Sequence, residues 1–146
     1  MIFINSDVSL SPDDILRVEE ETGVRFPDPL RRYYLRWNGG EPEPYVFENE
    51  SLDTVVSEFL PLISHSRRNT AVDAYRKLIL EKALAPKNFF PFAVDGGGDY
   101  FFADCDTPAA IVSFFQGDYW SSDRSKCLLD LSLGIEQFIS CLKAES

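Results

Sequence analysis

The chain has 146 residues, of which 45% are hydrophobic and 26% are charged. This composition is typical of a globular protein, and the length suits one buried core, so we expect a single domain over residues 1–146. Its 24 acidic and 14 basic residues give a formal net charge of −10. That balance argues against direct nucleic acid binding, which relies on Lys and Arg contacts to phosphates, and it favours a basic partner.

The ends and the cysteines of the chain bear on its location. The first residues lack the basic and apolar regions of a secretory signal, and no apolar run approaches the ~20 residues of a membrane span. We therefore expect a cytoplasmic protein that does not bind membranes. Cys105, Cys127 and Cys141 are an odd set with wide spacing, which predicts small buried or half-buried thiols instead of disulfides or a zinc knuckle.

Two helices are predicted in the first third of the chain, after a short apolar start over residues 1–5 that suits a strand or a hydrophobic staple. Ser11 can cap a helix that runs to about Thr22, and Gly23 can end it in the left-handed conformation. Asp28 is the expected cap of the second helix. Asn38-Gly39-Gly40 is placed to stop that helix. Its apolar stripe consists of Leu30, Tyr33, Tyr34 and Trp37.

The middle of the chain predicts strands over residues 45–48 and 55–60, and then a third helix from Thr70 to about Ala83. Residues 89–106 follow, and they predict two strands joined by a glycine turn in which Gly96, Gly97 and Gly98 supply positive φ angles. Ile111–Phe115 adds a third strand to this meander. A last helix is predicted from Ser132, and its apolar face consists of Ile135, Phe138, Ile139 and Leu142.

Few side chains in the sequence suit catalysis or metal binding. His65 is the only histidine, so neither a histidine-dependent triad nor a zinc site can be assembled readily. Asp95, Asp99, Asp104 and Asp106 do not follow the spacing of an EF-hand loop, and turn and edge solvation explains them best. A cation site and a partner contact remain alternatives for these aspartates. We predict no catalytic residues, no metal and no cofactor.

Taken together, several landmarks resemble the SUKH superfamily of Smi/Knr-type immunity proteins. Phe26-Pro27-Asp28 stands where the family has Leu-Pro-Asp, and Trp37-Asn38-Gly39-Gly40 stands where it has a Tyr/Trp-Asn-Gly-Gly signature. Pro91-Phe92-Ala93 and the glycine turn from Asp95 to Tyr100 also follow the family's order. The predicted helix over residues 132–142 resembles its closing element, and the match is weakest over residues 52–83.

The resemblance implies an α+β domain with a central, mostly antiparallel sheet against which N-terminal, middle and C-terminal helices pack. It also implies a protein without enzymatic activity that binds and neutralises a cognate toxin, often a nuclease. A fungal branch of the family acts in signalling and cell-wall regulation, so a regulatory or scaffolding module of the same fold is the alternative. A small enzyme or metal protein that uses the carboxylates of residues 95–106 is a third hypothesis.

Two irregular segments, residues 41–50 and 116–123, are the predicted partner surface, because binding function concentrates on loops carried by a rigid scaffold. We interpret the two glycine motifs as structural, namely as a helix stop and a hairpin turn. The motif residues are Trp37, Asn38, Gly39, Gly40, Gly96, Gly97, Gly98 and Asp99. The predicted partner-binding residues are Glu41, Glu43, Tyr45, Glu48, Asp118, Tyr119, Trp120 and Asp123.

Overall fold

The computed structural model describes residues 1–66 and 69–145, and within these ranges it is an α+β fold, as predicted. The helices are α1 (Pro12–Thr22), α2 (Asp28–Arg36), α3 (Ala71–Tyr75) and α4 (Ile135–Ser140). The strands are β1 (Ile2–Ile4), β2 (Glu41–Glu43), β3 (Val46–Glu48), β4 (Asp53–Phe59), β5 (Phe89–Asp95), β6 (Tyr100–Asp104), β7 (Ile111–Phe115) and β8 (Leu128–Gly134). The polar and basic stretch from Ser64 to Asn69 predicts a loop, and its Arg67 and Arg68 lie outside the described residues.

Strands β3 to β8 form one antiparallel sheet in their order along the chain, and β1 and β2 form a separate two-stranded ribbon. In such a meander, alternate connections lie at the same end of the sheet. The β3–β4, β5–β6 and β7–β8 connections therefore share one end, which we call the hairpin end and which comprises residues 49–52, 96–99 and 116–127.

The sheet curls around α4, as the contacts of one buried side chain show. The ring of Phe138 lies 5.0 Å from that of Phe47 on β3, 5.8 Å from Phe92 on β5 and 5.0 Å from Phe101 on β6. All four side chains are fully buried. Each such aromatic pair contributes about 0.5–1.5 kcal/mol beyond its buried area, so this cluster holds the C-terminal helix on the sheet.

The predicted ends of α1 are confirmed. The Ser11 hydroxyl accepts a hydrogen bond from the Asp14 N–H at 3.2 Å, and the Asp14 carboxylate accepts one from the Ser11 N–H at 2.8 Å. Gly23 ends the helix with a φ of +75°. The predicted cap of α2 is wrong, because Pro27 occupies the cap position and the Asp28 carboxylate instead accepts a bond from Arg31 at 3.2 Å.

The last and third helices also differ from prediction. Ser132 lies inside β8, where Leu129, Leu131 and Leu133 alternate with polar residues in the period of a strand, and α4 begins only at Ile135. The predicted burial is confirmed for Ile135 and Phe138 of α4 and for Leu142 just after it, whereas Ile139 is half-buried. The third helix starts at the predicted Thr70 cap, but after α3 it continues as a π-helical segment over Arg76–Glu81.

The glycine turn between β5 and β6 depends less on glycine than predicted. Only Gly98 has a positive φ, of +92°, so the expectation for Gly96 and Gly97 is wrong. Asp95 organises the turn instead, since its Oδ1 accepts bonds from the N–H groups of Gly97 at 3.0 Å and Asp99 at 2.8 Å. The three cysteines are free thiols, and the expectation of burial is wrong for Cys141, which is exposed.

Candidate partner-binding surface

Asn38 connects three segments of the chain. Its side chain is 2% exposed, and its amide nitrogen donates hydrogen bonds to the carbonyl oxygens of Val8 at 2.8 Å and Ile63 at 2.7 Å. Its amide oxygen accepts a bond from the Leu62 N–H at 2.8 Å. Because a buried amide is stabilising only when its donors and acceptor are paired, these bonds give Asn38 a role inside the fold.

The two glycines after Asn38 allow close backbone contacts. Gly39 has a φ of +73°, and a Cβ there would lie 2.6 Å from the Pro61 nitrogen. Gly40 has a φ of +122°, and its Cβ would lie 2.8 Å from the Ile4 oxygen. Only glycine suits both positions, because a side chain would meet strain and backbone atoms together. Trp37 precedes them and packs half-buried on Phe3, with 5.4 Å between the ring centroids.

Asp99 joins the β5–β6 turn to the segment after β7. Its Oδ1 accepts a hydrogen bond from the Gly117 N–H at 3.3 Å. Burial raises the pKa of Asp99, and the negative charges of Asp95 and Asp118 raise it further, against the lowering effect of the Gly117 N–H. Asp95, Asp99 and Asp118 therefore lie close enough together at the hairpin end for their negative charges to repel one another.

The predicted segment 116–123 lies at this same end. Asp118 and Tyr119 are exposed in a 3-10 turn, Gly117–Tyr119. Trp120 is half-buried. Its ring centroid lies 6.0 Å from that of Phe115, and the guanidinium carbon of Arg124 lies over the ring, 3.9 Å from its centroid.

The last predicted acid of this segment has a role within the loop. Asp123 accepts a bond from the Ser125 N–H at 3.1 Å as the cap of a second 3-10 turn, Arg124–Lys126. Among the four predicted residues of segment 116–123, Asp118 and Tyr119 are thus the two that the fold leaves exposed.

The predicted segment 41–50 divides between two places. Glu41 and Glu43 are exposed on β2 of the ribbon. Tyr45 is half-buried, and its hydroxyl donates a hydrogen bond to the Glu145 carboxylate at 2.9 Å. Glu48 lies on β3, which is an edge strand of the sheet, and its carboxylate forms an ion pair with Lys143. The C-terminal residues thus already engage Tyr45 and Glu48.

The predicted surface is therefore not one patch. Strands β4, β5 and β6 separate β3 from β7 in the sheet. We distinguish a ribbon face and a hairpin-end patch. The ribbon face consists of Ile2, Ile4, Glu41 and Glu43 on β1 and β2. The hairpin-end patch consists of Asp99, Asp118 and Tyr119. The hairpin-end patch includes Asp99, which the sequence analysis placed in a structural motif, with a partner contact as an alternative.

A protein-family model described as the SMI1 / KNR4 family (SUKH-1) matches residues 9–140. The chain belongs to the SMI1/KNR4 family. The match confirms the predicted SUKH resemblance and spans both glycine motifs and the segment 116–123 of this SUKH-1 protein. Neither a curated protein nor a solved structure matches the chain significantly.

Sequence reasoning missed the apolar half of the ribbon face in this SUKH-1 chain. Ile2 pairs with Glu43 and Ile4 pairs with Glu41 across the two strands, and the isoleucines are 55% and 42% exposed. The ribbon face consists of these four side chains. The apolar run from Met1 to Ile4 was visible in the sequence, but its alternating burial and the acidic strand opposite were not, because β2 lies about forty positions away.

Two further findings concern metals and membranes. In residues 1–66 and 69–145, no group of three or more His, Cys, Asp or Glu side chains could hold a metal ion. No helix in the same ranges is long and apolar enough to span a bilayer.

Proposed function

We propose that this SUKH-1 protein is a single-domain, cytoplasmic immunity protein that binds and neutralises a cognate protein toxin, such as a nuclease. The observation that carries the proposal is the juxtaposition of unneutralised acids and exposed apolar side chains on the ribbon face and in the hairpin-end patch. In the described residues, the carboxylates of Glu43 and Asp118 have no hydrogen bond or ion pair. An acidic rim beside an apolar contact suits a basic protein surface.

We further propose that the protein inhibits by binding and has no catalytic activity. His65 is exposed on a loop, and the Cys105 thiol is a poor nucleophile, because burial and the charges of Asp104 and Asp106 raise its pKa to about 12. Reproducible turnover of a nucleic acid, ester or peptide substrate that disappears in Asp99→Asn or Asp104→Asn would overturn this part of the proposal.

Co-expression with any toxin-like protein that is encoded beside the gene of this chain tests the main proposal. We expect the chain to restore growth and to form a complex with the purified toxin. If it protects against no adjacent toxin and instead co-purifies with a regulatory protein of its host, the scaffolding alternative replaces the immunity role.

Association kinetics then test the acidic residues. Glu43→Gln combined with Asp118→Asn should lower the association rate several-fold and flatten its dependence on salt, because rim charges steer a basic partner. Glu20→Gln combined with Glu81→Gln is the matched control, since both glutamates are exposed elsewhere and the change in net charge is identical. Equal rates for the two double variants would contradict this choice of surface.

Dissociation kinetics test the aromatic residues. Tyr119→Ala removes an exposed ring, so it should raise the dissociation rate without loss of stability. Trp120→Ala should also raise it, by about tenfold if the ring contributes ~1.4 kcal/mol to binding. Because Trp120 packs on Phe115 and Arg124, its variant requires a parallel thermal unfolding measurement. Unchanged dissociation in both folded variants would remove the aromatics from the proposed surface.

A further inference from the structure

The outer edge of β1 presents unpaired backbone groups. In the part of the chain that the structure describes, β1 has β2 as its only strand neighbour. Phe3 faces Pro42, which has no N–H, so this pair cannot exchange two hydrogen bonds. Because bonded and non-bonded pairs alternate in an antiparallel ladder, Ile2 and Ile4 bond to β2, and the N–H and C=O of Phe3 are directed outward.

An apolar groove lies beneath β1 on its inner side. It has a volume of about 700 Å³, and its apolar walls include Met1, Phe3, Leu35, Trp37 and Ile139. Charged side chains also line it, namely Arg36 and the ion pair of Arg32 with Glu136. Met1 and Leu35 are 44% and 40% exposed, so part of this apolar lining faces solvent. An additional strand on β1 would place every second side chain towards the groove, because side chains alternate between the faces of a strand.

The other side chains of such a strand would extend the ribbon face. They would lie beside Ile2 and Ile4, about 10 Å from Glu41 and Glu43, since two strand spacings separate the added strand from β2. A Lys or Arg can span this gap by laying its methylene stem across an isoleucine and placing its charge by a glutamate. Charge complementarity therefore selects a basic occupant.

We propose that the open edge of β1 binds an extended, antiparallel segment of the partner protein, with apolar residues facing the groove and Lys or Arg on the ribbon face. This inference rests on the proposed function for the identity of the partner as a toxin. The ribbon face would recognise the Lys or Arg side chains of this segment, and the groove would recognise its apolar side chains. Natural sheets commonly protect open edges with Lys or Pro on the edge strand itself, and β1 carries neither.

A designed peptide tests the backbone geometry directly. The probe is the acetylated and amidated peptide Lys-Val-Lys-Val-Lys-Val-Lys, titrated into the ¹⁵N-labelled full chain. We expect the amide signals of Ile2, Phe3 and Ile4 to shift and the exchange of the Phe3 amide with solvent to slow. A peptide of the same composition in the order Lys-Lys-Lys-Lys-Val-Val-Val should bind at least tenfold more weakly.

Methylated peptides make the test sharper. The residue opposite Phe3 in an antiparallel pair has its side chain on the groove face and exchanges both hydrogen bonds with Phe3, so it is a valine of the probe. Methylation of the valine nitrogens should therefore abolish binding, whereas methylation of the lysine nitrogens should preserve it. Equal binding of all peptides, or the reverse order of the methylated pair, would overturn the antiparallel edge arrangement.

Variants of the chain locate the effect. Ile2→Lys with Ile4→Lys should weaken binding of the probe at least tenfold through charge repulsion and lost apolar contact. Leu16→Lys with Leu80→Lys is the matched control, because these leucines are each 52% exposed and lie outside the ribbon, and it should bind as the original chain does. Equal weakening in both double variants, or protection of Phe3 in a peptide-free dimer, would overturn the proposal.

A neutralisation assay separates this inference from the proposed function. If the Ile2→Lys, Ile4→Lys chain neutralises the cognate toxin as well as the original chain, the edge proposal fails and the immunity role stands. If the probe binds β1 as expected but the chain neutralises no toxin, the immunity role fails and the edge site stands.

Discussion

The amide oxygen of Asn38 accepts a hydrogen bond from the N–H of Leu62 at 2.8 Å, 24 positions away in the chain. Together with the bonds from its amide nitrogen to Val8 and Ile63, this bond joins the end of α2 to the segment after β4 and to the N-terminal segment. The Asn-Gly-Gly motif therefore stabilises the junction of three segments.

Asn38→Ala should lower the free energy of unfolding by about 2–4 kcal/mol, because it leaves the buried Leu62 N–H and the partly buried carbonyl groups of Val8 and Ile63 without their partner. Urea denaturation measures the change. Asn88→Ala is the control, since its half-buried amide donates one bond, to Asp104, and its loss should be about 1 kcal/mol. Similar losses in the two variants would contradict the role assigned to Asn38.

Gly39→Ala should destabilise the fold by about 2–5 kcal/mol, since a positive φ and backbone contacts below 3 Å both oppose a side chain. Gly23→Ala isolates the first effect, because Gly23 has a φ of +75° and no atom within 4 Å of the new Cβ. It should lose only about 1 kcal/mol. Thermal unfolding of both variants provides the comparison, and equal losses would show that close packing at Gly39 contributes nothing.

Gly98→Ala should lower the free energy of unfolding by about 1 kcal/mol, because its φ is +92°. Gly97→Ala should change it by less than about 0.5 kcal/mol, since Gly97 lacks a positive φ and the nearest atom to its new Cβ is a carboxylate oxygen at 3.5 Å. A larger loss at Gly97 than at Gly98, measured by urea denaturation, would contradict the observed turn.

Asp7 should make the protein sensitive to acid. Burial raises the pKa of Asp7, but hydrogen bonds from Ser64, Ser66 and the backbone of Val8 and His65 outweigh it and lower that pKa to about 2. A folded pKa below the unfolded value contributes stability above about pH 4, and this contribution is lost as the pH falls towards 2. Asp7→Asn should therefore lower the thermal midpoint at pH 6 and flatten its decline between pH 4 and 2. If the thermal midpoint of Asp7→Asn declined between pH 4 and 2 as steeply as that of the original chain, this role of Asp7 would be contradicted.

Asp99 should have the opposite sign. Burial and the charges of Asp95 and Asp118 raise its pKa, so its ionisation opposes folding at neutral pH. Asp99→Asn should raise the free energy of unfolding at pH 7 by less than about 1 kcal/mol, because solvent screens this partly exposed group. This gain in stability should vanish as the pH falls below about 4, because the carboxyl is then protonated in both the folded and the unfolded state. If Asp99 also faces the partner, the same variant should bind the toxin more slowly; a destabilised variant at pH 7 would contradict the electrostatic account.

Local patterns in the sequence determined many of the element boundaries. The Ser11 and Thr70 caps and the Gly23 end of α1 follow from contacts between residues a few positions apart, and the apolar, β-branched and aromatic run of Ile111–Phe115 indicated a strand. Family resemblance added the α+β class, since a set of spaced motifs constrains a whole chain more than any single motif does. The same local patterns misplaced the start of the last helix, because Ser132 suits a helix cap, whereas the pairing of β8 with β7 keeps it inside a strand with a φ of +58°.

The candidate site could be predicted only in part. The sequence by itself determined that the chain is acidic, that its irregular segments carry acids beside aromatics, and that its glycine motifs form turns. The tertiary structure decided which of these side chains remain exposed: it bonds Tyr45 to Glu145, pairs Glu48 with Lys143, and sets Ile2 beside Glu43. The physical reason is range, since caps and turns form between near neighbours, whereas these contacts depend on how the ribbon and the curled sheet bring distant segments together.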